Sequence, residues 1–402
     1  MEHLIEFILY ICAAAIIGLT LPGTIELVAV TLGGLLPYRG PKASAPALGP
    51  LAVVVPAHNE ASGIAACVAS LRTACANDGQ TRIVVVADNC SDDTAFLARL
   101  AGAEVIERNN LQQRGKGYAL DFAFKRLLEE GVEILAVVDA DTSVAPNFVS
   151  VLRRHFGAGA QAVQVRYQVK NAQTSRRTRL LNIANMAFNV LRPRGRQRWG
   201  VSAGLLGNGF ALSRKTLQAV PYSAASVVED AEYHLLLLQA GRHVTFANET
   251  VVRGDMPAQG DGVGTQRARW EGGRLRLLLQ AGPGLTSRFL KGAFNLWEPL
   301  CDLLLLPLAF HALVLTAGLF LPFAAIQFYA LGGLGVLALH VLVALRVGGG
   351  RWRDLGILAT VPLYMAWKIA ILPILLKTSG RDATWIRTQR QGETHSPRHL
   401  SA

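Results

Sequence analysis

Two carboxylates one residue apart, Asp139 and Asp141, end the apolar run VVDAD at residues 137–141. Like charges that close repel unless a cation or strong donors sit between them. In extended backbone, residues two apart face the same side, so both carboxylates would aim at one spot. Hard oxygen ligands at this spacing suit Mg²⁺ or Mn²⁺ held jointly by protein and substrate phosphates. The bland alternative is a solvated strand end. A bound cation would neutralise a diphosphate leaving group, the main electrostatic demand of sugar transfer from a nucleotide diphosphate.

Other stretches carry weaker signals. SVVEDAEYHLLLLQAG, 226–241, starts a helix with three acids near its N-terminus, where the helix dipole favours anions. An ionised carboxylate there could serve as general base, its pKa lowered by the dipole; the other reading is a charge-complemented helix start. RGKGYAL, 114–120, is a Gly-rich basic turn whose backbone N–H groups and Lys116 could hold phosphate. VPAHNE, 55–60, and VVVADNCSDDT, 84–94, place Pro56, Ala57, Glu60 and Asp88 after apolar runs, either as turn and cap residues or beside a nucleotide. QRARWEGGR, 266–274, groups Gln266, Arg269 and Trp270: an Arg can clamp diphosphate and an indole can stack on a sugar, or both anchor a membrane interface. GNGF, 207–210, with Gly207 and Asn208, reads as close backbone approach or a turn.

The elements that must position these residues alternate. LAVVVPA, RIVVVAD, ILAVVDAD and AQAVQVRYQV read as strands, with ASGIAACVASLRTACA, DDTAFLARLAG and GYALDFAFKRLLEEG as helices between them. That order predicts a mostly parallel sheet covered on both faces, with ligands beyond the carboxyl ends of the strands. The polar groups cluster at those ends.

Outside this region the chain is apolar. Hydrophobic residues make up 51% of the 402 and charged ones 17%, which excludes an ordinary soluble enzyme of this size. Residues 4–37 read as a retained membrane anchor that Pro22-Gly23 kinks or divides. Residues 272–296 read as an amphipathic helix pair on the membrane surface. Residues 303–345 are long enough for two spans, and 355–376 for a third. Arg346, Arg351 and Arg353 place the loop before this last segment in the cytoplasm. Pro362 and Pro373 make the segment re-entrant or interfacial, which leaves the basic tail inside. The net charge of +12 fits anionic lipid and an anionic substrate better than nucleic acid, for which no module is present. The spans hold few polar residues besides His311, Gln327 and His340, which argues against a transporter. Five cysteines without a CxxC pair argue against a disulfide framework or a zinc site, and for a reducing compartment.

Taken in order, PAHNE, DNCSDDT, RGKG, DAD, GNGF, ED and QRARW resemble glycosyltransferase family 2, the membrane-bound, cellulose, chitin and hyaluronan synthase-like members included, from about Leu51 to Arg274. The resemblance implies an α/β GT-A fold, that is, a Rossmann-like mixed sheet of the nucleotide-diphospho-sugar transferase kind, flanked by transmembrane helices. It implies inverting transfer from a UDP-sugar to a polysaccharide or lipid-linked glycan acceptor, with Mg²⁺ or Mn²⁺. It assigns Asp230 as base with Glu229 its motif partner, and Asp141 as metal ligand with Asp139 near ribose, diphosphate and metal. Asp88 would meet uracil or ribose. Pro56, Ala57, Glu60 and Lys116 would line the nucleotide pocket, and Gln266, Arg269 and Trp270 would close over the diphosphate. WIRTQR, 385–390, resembles the C-terminus of members linked to exopolysaccharide synthesis. Val228 stands where that family often has a hydroxyl residue, and the spans are few for a synthase that builds its own secretion channel.

The expected layout is an anchor at 1–37, a linker at 38–50, the GT-A domain at 51–271, interface helices at 272–296, a membrane region at 297–376 and a cytoplasmic tail at 377–402. The catalytic domain is expected on the cytoplasmic side of the cell membrane. Expected partners are the UDP-sugar, a glycan or lipid-linked acceptor, membrane lipids and other polysaccharide-assembly proteins, with no nucleic acid. Rival readings are a single-addition glycolipid enzyme of the ceramide type and a catalytically silent, nucleotide-sugar-binding regulatory subunit.

Overall fold

A computed structural model describes residues 1–41, 45–223, 228–256, 262–363 and 365–366; for 262–271 and 295 it describes the backbone alone. The elements run α1 (Glu2–Leu35), β1 (Leu51–Ala57), α2 (Ile64–Cys75), β2 (Thr81–Asp88), α3 (Thr94–Leu100), β3 (Glu104–Arg108), α4 (Lys116–Glu129), β4 (Ile134–Val137), β5 (Ser143–Val144), α5 (Phe148–Gly157) and β6 (Ala162–Val169). They continue through α6 (Arg176–Met186), α7 (Arg192–Arg198), β7 (Phe210–Ser213), α8 (Arg214–Ala219), α9 (Glu229–Gln239), β8 (Val244–Gly254), α10 (Gly262–Leu290), α11 (Trp297–Leu304), α12 (Leu308–Gly318) and α13 (Ala324–Gly348). A π-helical turn, Ala187–Leu191, joins α6 to α7.

The strands form one eight-stranded sheet in the order β3-β2-β1-β4-β7-β6-β8-β5. β1 pairs parallel with both β2 and β4, and β2 with β3. Both faces of this half are covered. Ala52, Val54, Val84 and Val86 pack under α4 with Leu120, Phe124 and Leu127. Leu51, Val53 and Val55 pack on the other side with Ile64, Val68, Leu71 and Val149. Strands buried on both faces read as continuous apolar runs rather than alternating ones, which is why β1, β2 and β4 were legible. The other half departs from the parallel expectation: β7 runs antiparallel between β4 and β6. β3, β7 and β8 carry no such run, and sequence reading did not find them.

The chain leaves β1 on one side to build β2 and β3, then returns to its other side as β4. That reversal opens a crevice at the carboxyl ends of β1 and β4, the usual ligand position in such sheets.

Among the described residues, two helices are long and apolar enough to cross a membrane, α1 and α13; α11 with α12, bent by 77° at their junction, makes a third if counted as one broken span. Pro22 lies within α1 without dividing it. At 1.5 Å per residue α1 is about 50 Å long, well beyond the ~30 Å hydrocarbon core. Its first half exposes Leu4, Ile5, Phe7, Ile8 and Ile11, while its second half buries Glu26, Leu27, Val30 and Thr31. The expected pair of interface helices is largely one continuous helix, α10, with Pro283 inside it. Only the first half of the 355–376 segment is described, apart from residue 364, as a 3₁₀ turn at Trp352–Thr360 and a short helical stretch. Its remainder and the 377–402 tail, WIRTQR included, lie outside the described residues.

The segment α6–α7, inserted between β6 and β7, joins the sheet domain to the membrane helices. Gly33, Gly34 and Gly195 let α1 and α7 touch backbone to backbone: a Cβ on Gly195 would sit 2.2 Å from the Val30 carbonyl oxygen. Beside this crossing Arg192 and Arg196 of α7 meet Glu26 of α1 at 2.6 and 3.0 Å. Asp302 of α11 accepts from both arginines and lies 3.4 Å from Arg274 of α10, and Glu298 pairs with Arg196. Among the described residues, three basic and three acidic side chains thus meet at the junction of four helices.

Candidate active site

Asp139 lies just past the end of β4, and Asp141 follows in a turn closed by the Thr142 N–H on the Asp139 carbonyl at 3.0 Å. The strand stops at Val137, so a turn and not strand alternation presents the two carboxylates. Asn208 braces that turn. Its Oδ1 accepts from the Asp139 N–H at 3.1 Å, and its Nδ2 donates to Thr142 Oγ1 at 2.8 Å. Thr142 Oγ1 in turn reaches Asp141 Oδ1 at 3.3 Å.

Because β7 is antiparallel to β4, with Phe210 opposite Val137, the residues before β7 arrive where β4 ends. That brings Gly207 and Asn208 to the DAD turn. Gly207 has φ +73°, and a Cβ there would lie 3.1 Å from Asp230 Oδ2. Gly209, φ +67°, passes so near Val252 that a Cβ would lie 2.6 Å away. Glycine is needed at both positions for conformation and for space.

Lys116, the first residue of α4, ties the set together. Its Nζ donates to Asp139 Oδ1 and to the Gly207 carbonyl, each at 2.5 Å. Glu229 and Asp230 open α9 beside them, and the Ala231 N–H donates to Asp230 Oδ1 at 2.8 Å. Lys116, Asp139, Asp141, Gly207, Asn208, Glu229 and Asp230, named from sequence, therefore meet at one place.

A second group lies on the neighbouring strand ends. Asp88 ends β2 and is 5% exposed; its Oδ1 accepts from Arg108 Nη1 at 2.6 Å. His58 Nδ1 contacts the Asp88 carbonyl at 2.7 Å, and Cys90 Sγ the Ala57 carbonyl at 3.4 Å. Pro56, Ala57 and Glu60 sit on this β1–β2 side, with the Glu60 N–H donating to Thr94 Oγ1 at 2.7 Å. Asn59 and Asn89 both take left-handed backbone, φ +55° and +51°, which turns the chain sharply after each strand. The structure brings Asp88 to the same edge as the DAD turn, but already held by an arginine that sequence reading did not single out. Arg108 closes β3, and only the parallel register Asp88↔Arg108 reveals it.

The sequence profile of the family described as "Glycosyltransferase like family 2" matches residues 46–273, more than half of the chain. The chain belongs to that family. Among curated relatives, the probable glycosyltransferase YdaM of Bacillus subtilis is 26% identical over 241 residues, which cover 57% of this chain and 56% of YdaM. The low-salt glycan biosynthesis hexosyltransferase Agl6 of Haloferax volcanii is 38% identical over 91 residues, 23% of this chain and 21% of Agl6. The chain thus spans about half the length of the first relative and about a fifth of the second. Among solved structures, the mannosyltransferase PcManGT of Pyrobaculum calidifontis, in complex with GDP-Man and Mn²⁺, superposes with a TM-score of 0.52. It is 17% identical and covers 84% of this chain and 99% of its own. At that identity the likeness shows the shared GT-A fold.

The electrostatics of this site correct one expectation. The helix dipole was expected to lower the base's pKa. Burial, then the Asp230 charge, instead pushes Glu229 up to about 7, against the pull of Lys116. Burial also raises Asp230 above the usual carboxylate range, against its Ala231 N–H bond and Lys116. Two carboxylates in one recess cost more than the dipole of an eleven-residue helix returns. Lys116 stays charged because Asp139, Glu229 and Asp230 outweigh its burial.

Among the described residues no three His, Cys, Asp or Glu side chains gather into a metal cage. The DAD turn is compatible with a divalent ion that completes its shell from the substrate, since Mg²⁺ is commonly held by one or two carboxylates plus phosphates. The negative potential there is real: after burial, Asp141 and Asp139 are the charges that push the Cys67 thiol below the turn up to about 12. Gln266, Arg269 and Trp270 lie in α10, whose backbone runs past the site; their side chains lie outside the described residues. A Cβ on Gly273 would lie 2.5 Å from Val228 Cγ1, so α10 packs directly on the residue before Glu229. A groove of about 670 Å³ between α10 and α11, lined by Leu278, Pro283, Leu290, Lys291 and Leu300, is separate from this chemistry.

Proposed function

We propose that the protein is an inverting, membrane-bound glycosyltransferase that moves a hexose from a UDP-sugar to a polysaccharide or lipid-linked glycan acceptor in cell-envelope or exopolysaccharide synthesis. The observation that carries this is the meeting of Lys116, Asp139, Asp141, Glu229 and Asp230 at the carboxyl ends of β4 and its neighbours. One lysine and two acid motifs from three distant segments form a single recess.

In this reading Asp230 Oδ2, over Gly207, takes the proton of the acceptor hydroxyl. The hydroxyl oxygen attacks the anomeric carbon from the face opposite the diphosphate. A new C–O bond forms as the bond to diphosphate breaks, so an α-linked donor gives a β-linked product. Lys116 carries positive charge at the same recess and holds Asp139 in place. Asp141, with Asp139, would hold Mg²⁺ or Mn²⁺, which supplies the charge that stabilises the departing nucleoside diphosphate. Asp88, held by Arg108, orients the nucleoside together with Pro56, Ala57 and Glu60. Gln266, Arg269 and Trp270 close the site from α10. The catalytic domain faces the cytoplasm, and Arg346 in the last turn of α13 with Arg351 and Arg353 after it support that side.

A second donor is favoured by one observation: PcManGT was solved with GDP-Man. The deciding experiment incubates membranes holding the full chain with radiolabelled UDP- and GDP-sugars and Mg²⁺ or Mn²⁺. Label in a ladder of lengths means polymer synthesis, and in one new lipid spot a single addition. No transfer from any donor, with nucleotide still bound, identifies a silent regulatory subunit. Asp230→Asn should abolish transfer and leave nucleotide binding nearly intact; equal loss of both removes Asp230 from the base role.

A further inference from the structure

Tyr222 packs against α9, 2% exposed, and its hydroxyl has no hydrogen-bond partner among the described residues. Buried hydroxyls nearly always have one, because leaving the group dry and unpaired costs free energy that a phenylalanine in the same place would not. The ring has no freedom to turn away. It meets Phe124 of α4 edge-on at 5.4 Å, lies parallel to Phe210 of β7 at 6.4 Å, and tilts against Tyr233 of α9 at 4.5 Å. Tyr233 is different: its hydroxyl donates to the Val220 carbonyl at 2.7 Å.

The three rings around Tyr222 belong to the three elements that carry the site. α4 begins at Lys116, β7 follows Asn208 and Gly209, and α9 begins with Glu229 and Asp230. Tyr222 thus packs on all three elements that meet at the recess. Burial first, then the charges of Glu229 and Asp230, hold its phenol well above its ordinary pKa. It therefore stays an O–H donor, and the anions beside it are the motif carboxylates.

We propose that Tyr222 is a positioning residue for glycosyl transfer, whose hydroxyl donates a hydrogen bond to the Glu229–Asp230 carboxylate pair when the acceptor is seated and so fixes the orientation of the base. The inference rests on the reading of Asp230 as that base. It explains why an unpaired hydroxyl persists in the free protein: the cost is borne there and recovered in the loaded site, a common trade of stability for function.

The test compares Tyr222→Phe, Tyr222→Leu and Asp230→Asn in the full-length protein in lipid nanodiscs, with the donor and acceptor found by the panel above. Tyr222→Phe keeps the aromatic packing. It should melt at the same temperature as the parent or higher, keep donor KM within about twofold, and lose about tenfold or more in kcat, as expected for a hydrogen bond to a charged group. Tyr222→Leu should melt lower, which separates the ring's role from the hydroxyl's. A Tyr222→Phe protein with parental kcat, or with a lowered melting temperature, overturns the inference. If Asp230→Asn still transfers sugar, the base reading fails first. If Asp230→Asn is inactive while Tyr222→Phe is unchanged, only the role of Tyr222 is lost.

Discussion

Glu26→Gln removes one charge from the cluster that joins the sheet domain to the membrane helices. Glu26 is 0% exposed and meets Arg192 at 2.6 Å and Arg196 at 3.0 Å, themselves nearly buried. Glu298, Asp302 and Arg274 complete the cluster. The glutamine retains the shape but leaves one positive charge uncompensated. Breaking a buried ion pair from one side costs about 3–5 kcal/mol, because the remaining ion stays out of water. At about 2–4 °C per kcal/mol for a large domain, the melting temperature should fall by about 6–20 °C. The assay is thermal unfolding of the purified protein in nanodiscs, followed by tryptophan fluorescence. Trp199 is a suitable reporter, since its Nε1 donates to the Ala29 carbonyl at 2.7 Å, three residues from Glu26. The double variant Glu26→Gln with Arg192→Gln restores the parent's net charge and should recover at least half of the loss. A melting temperature within about 1 °C of the parent for Glu26→Gln, or a double variant worse than the sum of the singles, would show that the cluster does not hold α1 to the domain.

Three further outcomes are expected. Burial raises both Glu229 and Asp230 above the ordinary carboxylate range, so kcat/KM should fall on the acid side as the pair takes up a proton, and Glu229→Gln, which leaves one carboxyl in the recess, should move that limb to lower pH. The sign for stability is opposite to that of a salt-bridged carboxylate. Protonated Glu229 suits the fold, so its contribution is full below the ordinary value of 4.5 and is lost as pH rises through 7; a Glu229→Gln variant should therefore be the more stable above pH 7. Gly195→Ala would place a Cβ 2.2 Å from the Val30 carbonyl oxygen, and overpacking of this kind should cost about 1–3 kcal/mol, read as a lower melting temperature. Asp141→Asn should weaken divalent-ion-dependent donor binding by roughly tenfold or more, as loss of one partner of a charge pair does. Calorimetry with and without chelator checks this, and a parental affinity that ignores both changes would remove Asp141 from the metal role.

Much of the site was legible because its chemistry sits where buried strands end. LAVVVPA and RIVVVAD are apolar throughout, since both faces of those strands are covered, and an acid that ends such a run stands out. Arg108 and Tyr222 were not legible. One is the last residue of a short, mixed strand, EVIER, and the other precedes a helix in a polar stretch. Each acquires meaning only from what the fold sets beside it. The apolar length of α1 was evident in the sequence; that Glu26 within it would be fully buried against two arginines was not. An acid set deep in the apolar part of a 34-residue helix predicts a partner without saying where in the chain it lies.

By itself, the order of motifs along the chain determined the family, the GT-A sheet, the acids that could bind a metal or act as base, and the presence of membrane-length helices. These follow from local facts: residue type, spacing and hydropathy. Only the tertiary structure decided that β7 runs antiparallel, and so that Gly207 and Asn208 meet the DAD turn. Only it decided that Lys116 rather than solvent pairs with Asp139, and that Glu229 and Asp230 share a recess dry enough to raise their pKa instead of lowering it. The physical reason is range. A helix dipole or an apolar run acts over a few residues of sequence, whereas burial and the field of a charge act through space, between atoms that the sequence places more than a hundred residues apart.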